Sequence, residues 1–255
     1  MADSVTQVRV AGPVGAKKNL AILGDGFAAG NQNAYNTWVN DVLLGSVFGQ
    51  DYFYEDASAW NIFRVNLESN DSGVTRRVYD EHGTPADPSD DTITSTTARD
   101  TALDIIYSGS WSHCWLEYGP NTETRLQAAL TTWVPDYDFV LIVLNEPGFG
   151  GCGGGGRAHV TLGSDWTVIA HEFGHGLGGL ADEYCVAGAY TGGEPGVVNL
   201  TVNTDRATTK WGNFIAPDTP VPTGTGDCAG YTAGTRPHGG TTTRMSGCSR
   251  AVART

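Results

Sequence analysis

The sequence predicts a mixed α/β (α+β) fold: an α/β/α lobe on a twisted sheet over residues 1–179, then a small, mostly irregular lobe over residues 180–255. Three observations point to it. Short apolar runs bounded by turn residues alternate with segments whose apolar residues recur at helical spacing. The run Asp138–Asn145 (D-F-V-L-I-V-L-N) is apolar almost throughout, as a central strand covered on both faces must be. After Gly179 the periodicity fades and Gly, Thr and Pro dominate, which suits irregular chain. A chain of 255 residues buries roughly three quarters of its unfolded surface and needs no staple to fold.

Taken in order, Asn19–Leu23 (N-L-A-I-L), closed by Gly24-Asp25-Gly26, predicts a buried strand and its turn. Between Asn33 and Val47, the residues Ala34, Trp38, Val42 and Leu43 line one face of an expected helix. Ile62–Leu67 predicts a second strand. The polar stretch Asn70–Asp91, punctuated by Gly83, Pro85 and Pro88, predicts a long surface loop. Asp87, Asp90 and Asp91 in that loop could bind Ca²⁺, although a solvated acidic loop is the commoner use of such residues. Ala98–Tyr107 and Thr122–Val134 carry apolar residues three and four apart (Ala98, Ala102, Ile105, Ile106; Leu126, Ala129, Leu130, Trp133) and predict two amphipathic helices. Beyond the central strand, Gly151-Cys152-Gly153-Gly154-Gly155-Gly156 satisfies G-x-G-x-x-G. A dinucleotide loop must open a helix, however, and Arg157–Leu162 (R-A-H-V-T-L) reads as an edge strand. The glycines are therefore expected to form a flexible connection or a cleft-lining loop.

His171–Tyr184 reads H-E-F-G-H-G-L-G-G-L-A-D-E-Y and contains H-E-x-x-H. Helical residues four apart lie one above the other, so His171 and His175 can direct imidazole nitrogens at one ion, and such a pair binds zinc. Glu172 cannot share that vertex, but its carboxylate can take a proton from a water in an open coordination position, the general-base role. Val168, Ile169, Ala170 and Phe173 make the helix apolar enough to be buried, and Ser164 with Asp165 supplies an N-cap and an acidic first turn. Two histidines could instead hydrogen-bond within a core; the surrounding helix, glycines and acids favour the metal. Gly176, Gly178 and Gly179 should end the helix and turn the chain, bringing Asp182 and Glu183 back toward the ion.

The net charge of −13 and a pI near 4.7 argue against nucleic acid or an anionic membrane surface as a partner. No apolar run approaches a membrane span. Cys114, Cys152, Cys185, Cys228 and Cys248 show no C-x-x-C spacing, so disulfides are expected rather than a second, thiolate zinc site, with the connectivity left open. Cysteines of this kind and only three lysines (Lys17, Lys18, Lys210) suit an exported protein, which is expected to act as a monomer. Met1-Ala2-Asp3-Ser4 carries no basic or apolar leader region, which fits a signal peptide already removed or none at all.

H-E-F-G-H with L-A-D-E-Y, the early N-L-A-I-L-G-D-G-F, the downstream K-W-G-N-F-I and the late Met245 together resemble the IgA-peptidase-like family of zinc metalloendopeptidases, placed among the metzincins. The resemblance spans roughly Asn19–Cys248 and is most specific at H-E-F-G-H. It implies a metzincin-like fold with a cleft between an upper α/β lobe and a smaller lower lobe carrying the Met-turn. It also implies one catalytic Zn²⁺ held by His171, His175 and a third ligand, Glu172 as catalytic base, and Met245 in the turn beneath the metal. Ordinary core packing would also suit Met245. Metzincins place the third ligand six residues after the second histidine, with glycine at the third. Gly178 matches, but position 181 is alanine and the acid comes one residue later. Asp182 is the ligand the resemblance implies, with Glu183 the runner-up. Only ten residues follow Met245, so the helix that closes such a lobe is short or absent.

The implied activity is that of a secreted zinc endopeptidase acting on protein or peptide substrates, with the edge strand at Ala158–Leu162 offering backbone hydrogen bonds to an extended substrate. Two further readings use the same residues. A zinc-holding adhesion or binding module without turnover could dispense with Glu172, and a zinc amidase or deacylase would apply the same chemistry to cell-wall or glycoconjugate substrates.

Overall fold

The computed structural model describes residues 3–50, 56–84, 88–110, 113–180, 194, 196–199, 203, 205–210 and 212–214. Along the chain its strands are β1 (Ser4–Arg9), β2 (Lys18–Asp25), β3 (Trp60–Asn66), β4 (Thr75–Asp80), β5 (Thr92–Thr97), β6 (Ile105–Tyr107), β7 (Leu116–Tyr118), β8 (Phe139–Leu144), β9 (Gly151–Gly154) and β10 (Arg157–Thr161). The α-helices are α1 (Gln32–Trp38), α2 (Phe48–Gln50), α3 (Thr122–Trp133) and α4 (Trp166–Gly178). Contacts divide the chain into two units, Met1–Leu177 and Gly178–Thr255. In the second, the described residues include a 3-10 turn at Gly212–Phe214 and Lys210, whose Nζ meets Glu194 at 3.0 Å and donates to the Val197 carbonyl at 2.7 Å.

In the first unit, six strands form a sheet in the order β1-β3-β2-β8-β10-β9. β3, β2, β8 and β10 run parallel, while β1 and β9 are antiparallel to their neighbours at the two ends. The alternation of side chains along the central strands divides the core. Leu20, Ile22, Leu141, Val143, Ala158 and Val160 meet Tyr35, Val39, Leu43, Ile169 and Phe173 on one face. Ala21, Leu23, Val140, Ile142 and Leu144 meet Leu126 and Leu130 of α3 and Ile105, Tyr107 and Leu116 on the other. That second face is shared with a smaller sheet, β5-β4-β6-β7. The fold is thus mixed α/β, with the continuous apolar run at β8 in the middle of the large sheet, fully buried as its sequence requires.

Four local expectations are corrected. Ala98–Tyr107 is not a helix: it is irregular up to β6, although its apolar spacing is helical. The cause is Asp25, which is completely buried and accepts the amide of Leu103 at 2.8 Å, the amide of Ile105 at 3.0 Å and the Thr101 hydroxyl at 3.1 Å. Those donors are thereby withdrawn from a helix ladder, and Asp104 between them sits at φ 63°. Burial raises the Asp25 pKa above its usual 3.8 in spite of these hydrogen bonds. Within the expected loop Asn70–Asp91 lies β4, whose inward side chains are polar because Arg77 and Tyr79 both meet Glu117, at 2.8 and 2.7 Å. The expected helix over Asn33–Val47 is α-helical only to Trp38. Val39–Val47 is a π-helix, and its buried residues Val39, Leu43 and Val47 recur every four positions, wider than the α-helical 3.6. Finally, only the end of the glycine run, Gly155-Gly156, is a connection, the turn into β10; Gly151–Gly154 is the end strand β9, and Arg157–Thr161 lies inside the sheet between β8 and β9.

Candidate active site and metal centre

α4 begins at a cap one residue later than expected. Asp165, not Ser164, accepts the backbone amides of Thr167 at 2.8 Å and Val168 at 3.4 Å. Ser164 is buried and joins the start of the helix to the β8–β9 connection, donating to the Gly150 carbonyl at 2.6 Å and accepting the Gly150 amide at 3.2 Å. The helix is held on the sheet by Ile169 and Phe173. The Phe173 ring stands edge-on to Phe139 (5.1 Å, 81°) and to Phe48 (6.4 Å, 63°). It ends at Gly178, and Gly179 adopts φ 59°, a left-handed conformation that suits glycine after a helix C-terminus.

With that face fixed, His171 and His175 are half-buried and Glu172 is 5% exposed. The two Nε2 atoms are 3.0 Å apart, with the rings at 84° and their centroids at 4.5 Å. One ligand atom from each of His171, Glu172 and His175 lies within 4.8 Å of the others, the one such cluster among the described residues. Two nitrogens bound tetrahedrally to one zinc at about 2.0–2.1 Å stand roughly 3.3 Å apart, so two converging imidazoles at the observed spacing fit a shared ion. A family model for IgA peptidase M64 matches residues 6–232, which include α4 and this cluster.

The chain belongs to the IgA peptidase M64 family. It is accordingly a peptidase, a hydrolase whose substrates are peptides. No curated protein matches it.

In this M64 peptidase the elements around Glu172 include β9, the glycine strand. A β-carbon added to Gly151 would lie 2.6 Å from the Glu172 Oε1 and 2.6 Å from the Val168 side chain. One added to Gly153 would run into the Glu172 carbonyl oxygen and lie 3.0 Å from its Cα. Glycine at both positions is therefore what allows β9 to approach the helix turn that carries Glu172. Cys152 between them points to the opposite face, where it forms a disulfide with Cys114. The G-x-G spacing was the signal for this close approach, but to a helix of the same chain rather than to a nucleotide.

Behind β9, burial pushes His159 down to about 4. Its ring is neutral between Tyr118, whose hydroxyl is 2.8 Å from Nε2, and the Cys152 carbonyl, 3.3 Å from Nδ1. These partners fix the tautomer, with Nδ1–H donating and Nε2 accepting. Asp182, Glu183 and Met245 lie outside the described residues. In the acidic loop, Thr84 donates to Asp90 at 2.9 Å and Asp91 pairs with His113 at 2.8 Å, so nothing there supports Ca²⁺; Asp87 lies outside the described residues. No helix among the described residues is long and apolar enough to cross a membrane.

Proposed function

We propose that this M64 peptidase is a secreted, zinc-dependent endopeptidase in which His171, His175 and Asp182 hold the metal, Glu172 is the general base and Met245 lies in the turn beneath. Glu183 is the alternative third ligand. The observation that carries the proposal is the convergence of His171 and His175 Nε2 atoms at 3.0 Å beside a buried carboxylate, on one helix of a peptidase. Two neutral imidazoles and a carboxylate suit zinc better than the hard, oxygen-seeking cations. When bound, zinc lowers the pKa of a water and polarises the scissile carbonyl. Glu172 takes the water's proton as the oxygen attacks and returns it to the leaving amine, so it ends the cycle ionised as it began. Its burial against β9 keeps the carboxylate in one place and limits competing water. Secretion fits the Cys114–Cys152 disulfide.

An extended substrate would add to β9, the end strand, rather than to β10, whose two edges are taken by β8 and β9. The test is digestion of a mixed protein library, with mass spectrometry of the new termini. Internal cleavage that 1,10-phenanthroline abolishes and added zinc restores is expected; cleavage by metal-free protein would refute the mechanism, and products from amide-linked sugars alone would favour the deacylase reading.

A further inference from the structure

Strand β9 (G-C-G-G) has one side chain, that of Cys152. Among the described residues it pairs only with β10 in the sheet, over four residue positions, and its glycines bring backbone but no side chain against α4. Glycine restricts the backbone least of all residues, and β9 has no side chains of its own to hold it against the helix. The partner of Cys152 is Cys114, which is solvent-exposed and sits just ahead of β7, 38 residues away in sequence. Cys114 and Trp115 adopt φ 52° and 61°, two consecutive non-glycine residues in the left-handed region. Such a conformation persists only where the surroundings enforce it. Here they do: the Trp115 amide donates to Ser110 at 2.9 Å, its carbonyl accepts from Ser108 at 2.8 Å, and its ring packs edge-on to Phe149 at 5.5 Å. The disulfide therefore joins an end strand of the large sheet to a corner fixed by its own hydrogen bonds, and on its far face that strand is pressed against Glu172.

Resting on the assignment of Glu172 as general base, we infer that Cys114 and Cys152 are positioning residues: their disulfide holds β9 against α4 and so holds the Glu172 carboxylate in its reactive place. The metal does not depend on this contact, because His171 and His175 are set by the helix itself. Loss of the disulfide should therefore lower turnover without releasing zinc.

The experiment is a double-mutant cycle on zinc-loaded full chain, with Cys114→Ala/Cys152→Ala and Glu172→Gln made singly and together. Removing the disulfide should lower kcat by about 10- to 100-fold with KM within about threefold, the loss expected of a misplaced catalytic group. In the Glu172→Gln background the same change should alter kcat by less than about twofold, since the group being positioned is already gone. Zinc stoichiometry should stay at one, and amide exchange over residues 151–154 should accelerate at least tenfold. Equal losses in both backgrounds, an unaltered kcat in the disulfide-free chain, or unchanged exchange at 151–154 would overturn the positioning role. Wild-type kcat in Glu172→Gln would instead remove the base assignment itself.

Discussion

Acid should destabilise the first unit in part through His159. His159 is 8% exposed, and burial holds its folded pKa near 4, whereas the unfolded chain takes up the proton near 6.5. Above pH 6.5 both states are neutral and the contribution is complete. As the pH falls from 6.5 to 4 the unfolded state binds a proton that the folded state does not, so stability is lost through that window. The window is roughly 2.5 pH units, and at about 1.4 kcal/mol per unit the loss is about 3 kcal/mol. The measurement is urea unfolding followed by circular dichroism at pH 7 and pH 4.5, on metal-free chain, for the natural sequence and for His159→Gln. Glutamine keeps a donor and an acceptor toward Cys152 and Tyr118 but does not titrate. The natural chain should lose about 2–3 kcal/mol more than the variant between the two pH values, since every other titratable group is the same in both. Parallel losses in the two proteins would refute the argument that burial keeps His159 neutral.

Two further outcomes follow from the site. Asp182→Ala should weaken zinc binding far more than Glu183→Ala, measured by competition with a chromophoric chelator, because the shorter side chain has fewer rotors to freeze on binding. Normal binding in Asp182→Ala with loss in Glu183→Ala would reverse the assignment. Gly153→Ala puts a methyl group into the backbone of α4 at Glu172 and should cost about 1–3 kcal/mol of stability by urea unfolding, whereas Gly15→Ala, with open space around it, should be near neutral. Equal effects at the two glycines would contradict the close approach of β9 to the helix.

What could be read in the sequence was whatever depends on local pattern. The uninterrupted apolar run gave β8, the spacing of Leu126 and Leu130 gave α3, and H-E-x-x-H gave the cluster on α4, since i and i+4 meet on any helix. What could not be read depends on partners distant in the chain. Ala98–Tyr107 has helical spacing, yet Asp25, more than seventy residues earlier, captures its amides. β4 looks like loop because its inward residues are an ion-pair network rather than apolar side chains. β9 has almost no side chains to show a period, and its strand character comes wholly from β10 and the disulfide. The cysteine reading gave disulfides without connectivity, and only the fold brings Cys114 to Cys152.

The central claim is that Glu172 performs proton transfer at a metal held by its neighbours. Zinc content and peptide turnover measured together in Glu172→Gln test it most directly. The expected result is one zinc per chain with kcat reduced by about two to four orders of magnitude, the usual contribution of a positioned acid–base group. One zinc per chain with kcat within tenfold of the natural protein would contradict it.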